Sequence, residues 1–189
     1  MKTTHSSSHQ HLSRIAVVGT SGTGKSTFAE AWAAETGATR IELDALHWGP
    51  NWQGADQATF LSRVQPAVAQ DHWVCDGNYS AVQPDVLARA TTVIWLDYSF
   101  GVTLGRVLRR TWQRWRHKQT LWAGNRERLL VTLFHPDSII WWMVRTHHAN
   151  RTKYTQMLVK ANTPFEVLVF RHPNELETWI KQANRDLAA

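Results

Sequence analysis

The 189-residue chain has one cysteine, Cys75, so it can form no internal disulfide and fits a reducing cytosol. A cytoplasmic location is expected. Cys75 itself reads as a small buried apolar residue on a strand. Long apolar runs are missing as well. The longest, Ile139 to Val144, is far too short to span a bilayer and lies between Asp137 and Arg145, so no membrane partner is expected. Residues 1–13 are rich in His, Ser and Thr, lack the hydrophobic centre of a signal peptide, and are expected to form a disordered tail. On such a tail His5, His9 and His11 hold no fixed metal geometry. There is no internal repeat and no second linker-like stretch. Residues 14–189 are therefore expected to form one domain, large enough to bury a core without covalent staples. Acids are scarce in one window: between Arg106 and Arg128, eight Lys/Arg face a single acid, Glu127. The net charge of +6 belongs to that window, which calls for an anionic partner, either nucleotide phosphates or nucleic acid.

What the chain does have is Gly19-Thr-Ser-Gly-Thr-Gly-Lys-Ser26, a match to the phosphate-loop pattern G-x-x-x-x-G-K-[ST]. It follows the apolar run Ile15 to Val18 and precedes the helix-forming run from Thr27, the strand, loop and helix order that the pattern requires. Gly19, Gly22 and Gly24 let backbone N–H groups turn inward around phosphate oxygens, and the helix N-terminus adds partial positive charge. Ser21, Thr23 and Thr27 complete the candidate nucleotide-binding stretch. Lys25 would reach the β- and γ-phosphates of ATP, and the Ser26 hydroxyl would coordinate Mg²⁺.

Alternation of apolar and polar segments predicts strands at Ile15 to Val18, Arg40 to Leu43, His72 to Cys75, Thr92 to Leu96 and Phe165 to Phe170. A first helix is expected over Lys25 to Thr36, stopped by Gly37. A second is expected from about Asp56, with Phe60, Leu61, Val64 and Val68 on one face and a break or kink near Pro66. Leu104, Val107, Leu108, Trp112 and Trp115 follow helical spacing, with Arg106 and Arg110 together on another face. Strands separated by helices argue for an α/β fold, a five-stranded parallel sheet with helices on both faces. Ligands bind such sheets beyond the carboxyl ends of the strands, where Asp44, Asp76 and Asp97 are all expected. Each could also be a cap or turn residue. Most of the 11 tryptophans are expected in the core.

From about Arg14 to Ile180 the chain resembles the nucleoside monophosphate kinase branch of phosphate-loop proteins. It is most similar to the adenylate-kinase-like proteins labelled topology modulation (FlaR-like) proteins. The resemblance rests on the phosphate loop, Leu43-Asp-Ala-Leu-His-Trp48 with Trp52, Trp73-Val-Cys-Asp-Gly-Asn-Tyr79, Ile94-Trp-Leu-Asp97, the arginine helix and Gly124-Asn-Arg-Glu-Arg128. It implies a P-loop NTPase fold with a helical lid insertion, that Asp76 orders water around Mg²⁺, and that Arg106 and Arg110 face the donor nucleotide. The chain departs from adenylate kinases after Gly77. Their proline and phosphate-gripping arginine are replaced by Asn78, Tyr79 and Ser80, so the acceptor need not be a nucleotide and Asn78 and Tyr79 become candidate acceptor contacts. Lid arginines have no clear counterpart; Arg145 and Arg151, or Arg126 and Arg128, are the candidates.

Phosphoryl transfer asks chiefly for alignment and charge neutralisation, which Lys25, Mg²⁺, Arg106 and Arg110 supply. A phosphate acceptor needs no base, whereas a hydroxyl acceptor does, and Asp44 is placed to be that base. The expected activity is an ATP-dependent kinase acting on a small hydroxyl or phosphate acceptor. Trp48, Trp52, Phe60 and Arg63 would line its pocket, although ordinary packing accounts for the same aromatics. The basic segment, about 106–150 as a lid, admits other readings. Its arginines and Trp112, Trp115 and Trp122 could bind nucleic acid in a P-loop ATPase, or form a solvated helix face.

Overall fold

In the computed structural model the described residues are 12–117, 120–125, 138–158 and 163–187. Five strands form one parallel sheet: β1 Arg14–Gly19, β2 Thr39–Glu42, β3 Trp73–Asp76, β4 Thr92–Leu96 and β5 Glu166–Phe170, in the order β2-β3-β1-β4-β5. Seven α-helices accompany them among the described residues: α1 Lys25–Thr36, α2 Leu43–His47, α3 Gln57–Val68, α4 Gln83–Arg89, α5 Phe100–Arg116, α6 Ile139–Leu158 and α7 Pro173–Leu187. Alternation along the strands sorts the core into two layers. Ile15, Val17, Val74, Ile94 and Leu96 face α1 and α7, meeting Phe28, Trp32 and Leu176. Ala16, Val18, Trp73, Cys75, Val93 and Trp95 face α3, α4 and α6, meeting Phe60, Val64, Val86 and Tyr154. Both faces are thus covered, as an all-parallel sheet requires.

Several boundaries differ from expectation for local reasons. Leu43 does not end β2; it opens the short helix α2, which places Asp44 in that helix's first turn. Pro66 lies inside α3 without ending it. It falls in the last turn, so its missing N–H removes only one late helical bond. Asp56 caps α3, accepting from Thr59 N at 2.9 Å and Thr59 Oγ1 at 2.7 Å. Ser13, assigned by composition to the tail, already accepts from Trp73 N at 2.9 Å, and Leu12 packs on the α1 layer. The rest of the tail, residues 1–11, lies outside the described residues.

Two packing expectations are corrected. The buried stripe of α5 is Thr103, Val107 and Thr111, while Leu108, Trp112 and Trp115 are exposed. Val107 is held between Gly22 of the phosphate loop and Ile140 and Met143 of α6. The tryptophans are not mainly core either. Trp32, Trp73 and Trp95 are buried, but Trp52, Trp112, Trp115, Trp141 and Trp142 are exposed. Cys75 is buried on β3 as expected, and burial pushes its thiol well above the ordinary range.

Candidate active site

β1 is the central strand, hydrogen-bonded to β3 on one side and β4 on the other. Its carboxyl end runs into the loop Gly19 to Gly24, and α1 begins at Lys25. Gly22 has φ +88°, and a Cβ there would lie 2.2 Å from Val107 Cγ2. Gly24 has φ +99°, and a Cβ there would lie 2.7 Å from an Arg106 guanidinium nitrogen. Both positions therefore favour glycine for conformation, and at Gly22 the packed Val107 also leaves no room for a side chain. Thr23 is buried, its hydroxyl donating to Thr20 O at 2.9 Å, so it shapes the loop from within. Ser21 lies in the loop, half-buried, and Thr27 is exposed in the first turn of α1.

Lys25 Nζ donates to Gly19 O at 2.8 Å and Thr20 O at 3.1 Å, spanning the mouth of the loop. Desolvation pulls its pKa down to about 8, against the opposing pull of Asp44 and Asp76, and the Arg110 charge lowers it further. The lysine, both acids and Arg110 thus share one electrostatic neighbourhood. Arg106 Nε donates to Gly22 O at 3.2 Å, and its guanidinium lies 5.9 Å over the Tyr98 ring. Arg106 thus lies against the phosphate loop, and Arg110 acts on it through its charge on Lys25. A cradle of this shape, with inward amides, one ammonium and two guanidinium groups, fits a polyphosphate.

Asp76, at the end of β3, is 3 % exposed. Burial raises its pKa, opposed by a hydrogen bond from the Ser26 hydroxyl and by the Arg40 charge. Its Oδ1 is buried without a hydrogen-bond partner and faces Arg40 Nε at 3.8 Å. An orphan carboxylate oxygen beside a serine hydroxyl suits a hydrated Mg²⁺, which prefers one or two protein oxygens plus waters and substrate phosphate. Ser26 and Asp76 are the residues that could hold such a cation, and among the described residues no group of three His, Cys, Asp or Glu could hold a metal ion. Arg40 was not anticipated. Reaching from β2 it also pairs with Glu42 at 3.2 Å, and its only trace in the sequence is two charged residues on the same face of a short strand.

The residues expected on the acceptor side gather around α2. Tyr79 OH donates to Asp44 Oδ1 at 2.6 Å, and its oxygen accepts from the Trp48 indole N–H. Burial and the adjacent carboxylate push the phenol pKa far up, so the hydroxyl stays protonated and remains a donor. His47 packs at a tilt against Tyr79 with ring centres 4.7 Å apart, and desolvation lowers its pKa. Three candidate acceptor residues do other work. Phe60 is 2 % exposed in the core and backs the rings of His47 and Tyr79, each 5.0 Å away. Arg63 donates to Leu46 O at 2.7 Å, tying α3 to the end of α2. Asn78 has both ends of its amide engaged, donating to Gly19 O and accepting from Tyr154 OH at 2.9 Å. It thereby ties the phosphate loop to α6. Trp48 and Trp52 do border the site, edge to face at 5.7 Å, and Trp122 extends that wall from Trp52 at 6.3 Å.

Asp97 is engaged away from this centre. Arg151 Nη2 lies 3.2 Å from its Oδ2, and desolvation raises its pKa against the Arg151 and Arg171 charges. Arg151 is thus committed to Asp97, whereas Arg145 is exposed on α6. Arg126 and Arg128, and much of the expected lid, lie outside the described residues. Among the described residues no helix is long and apolar enough to cross a membrane.

The fold has counterparts among solved structures. A gluconokinase from Sinorhizobium meliloti 1021 superposes with a TM-score of 0.52 at 20 % identity, covering 94 % of this chain and 93 % of that one. The shikimate kinase from Bacteroides thetaiotaomicron gives 0.55 at 13 % identity, with 94 % and 99 % covered. At these identities the likeness establishes the shared α/β P-loop fold. No curated protein matches the chain by sequence. A family model does match: AAA_33, described as an AAA domain, over residues 15–186. That match runs from β1, through the phosphate loop and every later strand, into α7, and the chain therefore belongs to the AAA_33 family.

Proposed function

We propose that the protein is an ATP-dependent small-molecule kinase that moves the γ-phosphoryl group to a hydroxyl acceptor. Within its family we place it near the topology modulation (FlaR-like) proteins, on the strength of the Asp76 to Tyr79 and Gly124 to Asn125 segments. The observation that carries the kinase reading is the placement of Asp44. This carboxylate stands close enough to Lys25 to raise its pKa, and a phenol holds one of its oxygens at 2.6 Å. A base beside the phosphate-loop lysine is what a hydroxyl acceptor requires and a phosphate acceptor does not. The gluconokinase and shikimate kinase with the same fold bear names of hydroxyl-phosphorylating enzymes, which is in keeping with this reading.

In the proposed reaction Lys25, Arg106 and Arg110 hold the triphosphate and balance the charge that spreads over the moving group. Bound Mg²⁺, resting on Ser26 and Asp76, supplies further neutralisation of the phosphate oxygens. The acceptor oxygen forms a bond to the γ-phosphorus, the bond to the β-phosphate oxygen breaks, and the acceptor proton passes to Asp44. Tyr79 keeps Asp44 oriented with its other oxygen available. Trp48 and Trp52 form the wall against which the acceptor lies.

Screening ATP consumption against nucleosides, nucleotides, sugars, sugar acids and antibiotics tests this. A hydroxyl compound should be phosphorylated, with Lys25→Ala lowering kcat by about 10² or more. Asp44→Asn should cost about 10²-fold or more in kcat while leaving ATP binding in place. Full turnover in Asp44→Asn would remove the base assignment alone. A second reading, a nucleic-acid-binding P-loop ATPase, draws on exposed Trp112 and Trp115 beside Arg109 and Arg116. It predicts DNA retention at physiological salt that weakens steeply as salt is added.

A further inference from the structure

The described residues contain three non-glycine residues with left-handed backbone: Asn51 at φ 55°, Trp52 at 58° and Ala123 at 51°. Such conformations are sterically costly for residues with a Cβ, most of all for a bulky tryptophan, and persist only where the surroundings hold them. All three fall in two short loops far apart in sequence, Pro50–Trp52 and Trp122–Gly124. One side chain joins those loops. Asn125, 6 % exposed, donates from Nδ2 to Gly49 O at 2.9 Å and accepts from Trp52 N on Oδ1 at 3.1 Å. Its own loop is closed around it by Leu121 N to Asn125 O at 2.7 Å and Asn125 N to Trp122 O at 3.1 Å. The amide thus reads one donor and one acceptor on the opposite backbone, a pairing that only asparagine makes at this side-chain length.

We propose that Asn125 is a positioning residue that clasps the strained loop Gly49–Trp52, fixing Trp52 and Trp122 as one aromatic wall of the acceptor site. The substrate-facing part of this inference rests on the kinase reading above. The clasp has a chemical consequence. Two indole rings set edge to face, with Trp48 as the third member, offer apolar contact to a ring-shaped acceptor, while Asp44 and Tyr79 supply its polar contacts. The acceptor class is therefore a cyclic hydroxyl compound with one apolar face, such as a nucleoside or a sugar ring. Because Asn125 belongs to the chain beyond α5, the helix that carries Arg106 and Arg110, the clasp also joins the donor-side helix and the acceptor loop within one connected segment.

The test is Asn125→Asp, which keeps size and the acceptor for Trp52 N but cannot donate to Gly49 O, with Asn125→Ala as the second variant. Hydrogen exchange at residues 49–53 should rise by about tenfold or more in both, whereas protection of the phosphate loop by the magnesium complex of a non-hydrolysable ATP analogue should be unchanged. With the acceptor found in the screen, KM for that acceptor should rise about tenfold while KM for ATP changes by less than about twofold. Unchanged exchange at residues 49–53, or a parallel loss of phosphate-loop protection, overturns the clasp. Unchanged acceptor KM in a variant with faster exchange overturns its role in the site. If the screen yields no acceptor, the kinase reading fails while the exchange measurement still decides the clasp.

Discussion

Lys25 is an ammonium in a setting that penalises ammonium. Folding lowers its pKa from 10.5 to about 8, so between those values the unfolded chain binds the proton that the native state gives up. This group's contribution therefore makes the ligand-free protein gain stability as pH rises from about 8 to 10.5, and the gain should vanish in Lys25→Met when unfolding is followed by denaturant titration. Nucleotide affinity should move the other way. The triphosphate needs the charged form, so calorimetric affinity for the magnesium complex of an ATP analogue should fall as pH climbs above about 8, with a shallower fall in Lys25→Met. Tyr79 gives a second residue-scale prediction. Tyr79→Phe keeps the ring packing against Phe60 and His47 but removes the donor on Asp44. A hydrogen bond to a charged group is worth about 1.5–3 kcal/mol, so kcat should drop by roughly tenfold or more with ATP binding unaltered. The place of the phosphate loop was legible because its pattern and the strand and helix that flank it are contiguous in the sequence, and the loop does lie between β1 and α1. The structural bonds of Asn78 were not legible, because its partners, Gly19 O and Tyr154, are 59 and 76 residues away.

Among the elements, α5 meets the phosphate loop most tightly at Val107. Gly22 and Val107 leave no room for a methyl group, since a Cβ on residue 22 would fall 2.2 Å from Val107 Cγ2. Gly22→Ala should therefore push helix and loop apart, costing about 1–3 kcal/mol in urea unfolding and weakening nucleotide binding. Adding Val107→Ala makes room for the new methyl but leaves the left-handed backbone at residue 22, so the double variant should recover part of the nucleotide affinity and not all of it. This contact also explains which elements were readable. Strand and helix positions followed from periodicity, because apolar residues on β1, β3 and β4 bury against regular neighbours. On α5, helical spacing picked out Leu108, Trp112 and Trp115, whereas the side chains that bury are Thr103, Val107 and Thr111, with Val107 packed on Gly22 and on Ile140 and Met143 of α6. Steric room set by a distant loop carries no local signal.

At the scale of the molecule, the order β2-β3-β1-β4-β5 brings Asp44, Asp76 and the phosphate loop to one rim, an arrangement that alternation of strands and helices made legible. The distribution of tryptophan was not legible, because composition counts large aromatics without saying which of them the two layers can enclose. Trp73 is fully enclosed between β3 and α3, its Nε1 donating to Val68 O at 3.1 Å, and Trp32 stacks on Phe28 and Trp179 in the opposite layer. Trp112 is 52 % exposed on α5, with Trp115 5.0 Å away as its ring partner. Removing the two kinds should therefore have unequal effects. Trp73→Ala should lower unfolding free energy by about 3–5 kcal/mol, the cost of an enclosed aromatic and its cavity. Trp112→Ala should change it by no more than about 0.5 kcal/mol, because the site is solvated in the native state already. Urea unfolding of both variants, with circular dichroism as the signal, measures the difference. Equal losses would mean that α5 packs its tryptophan face against something in solution, and that the exposed aromatic surface is in truth part of an interface.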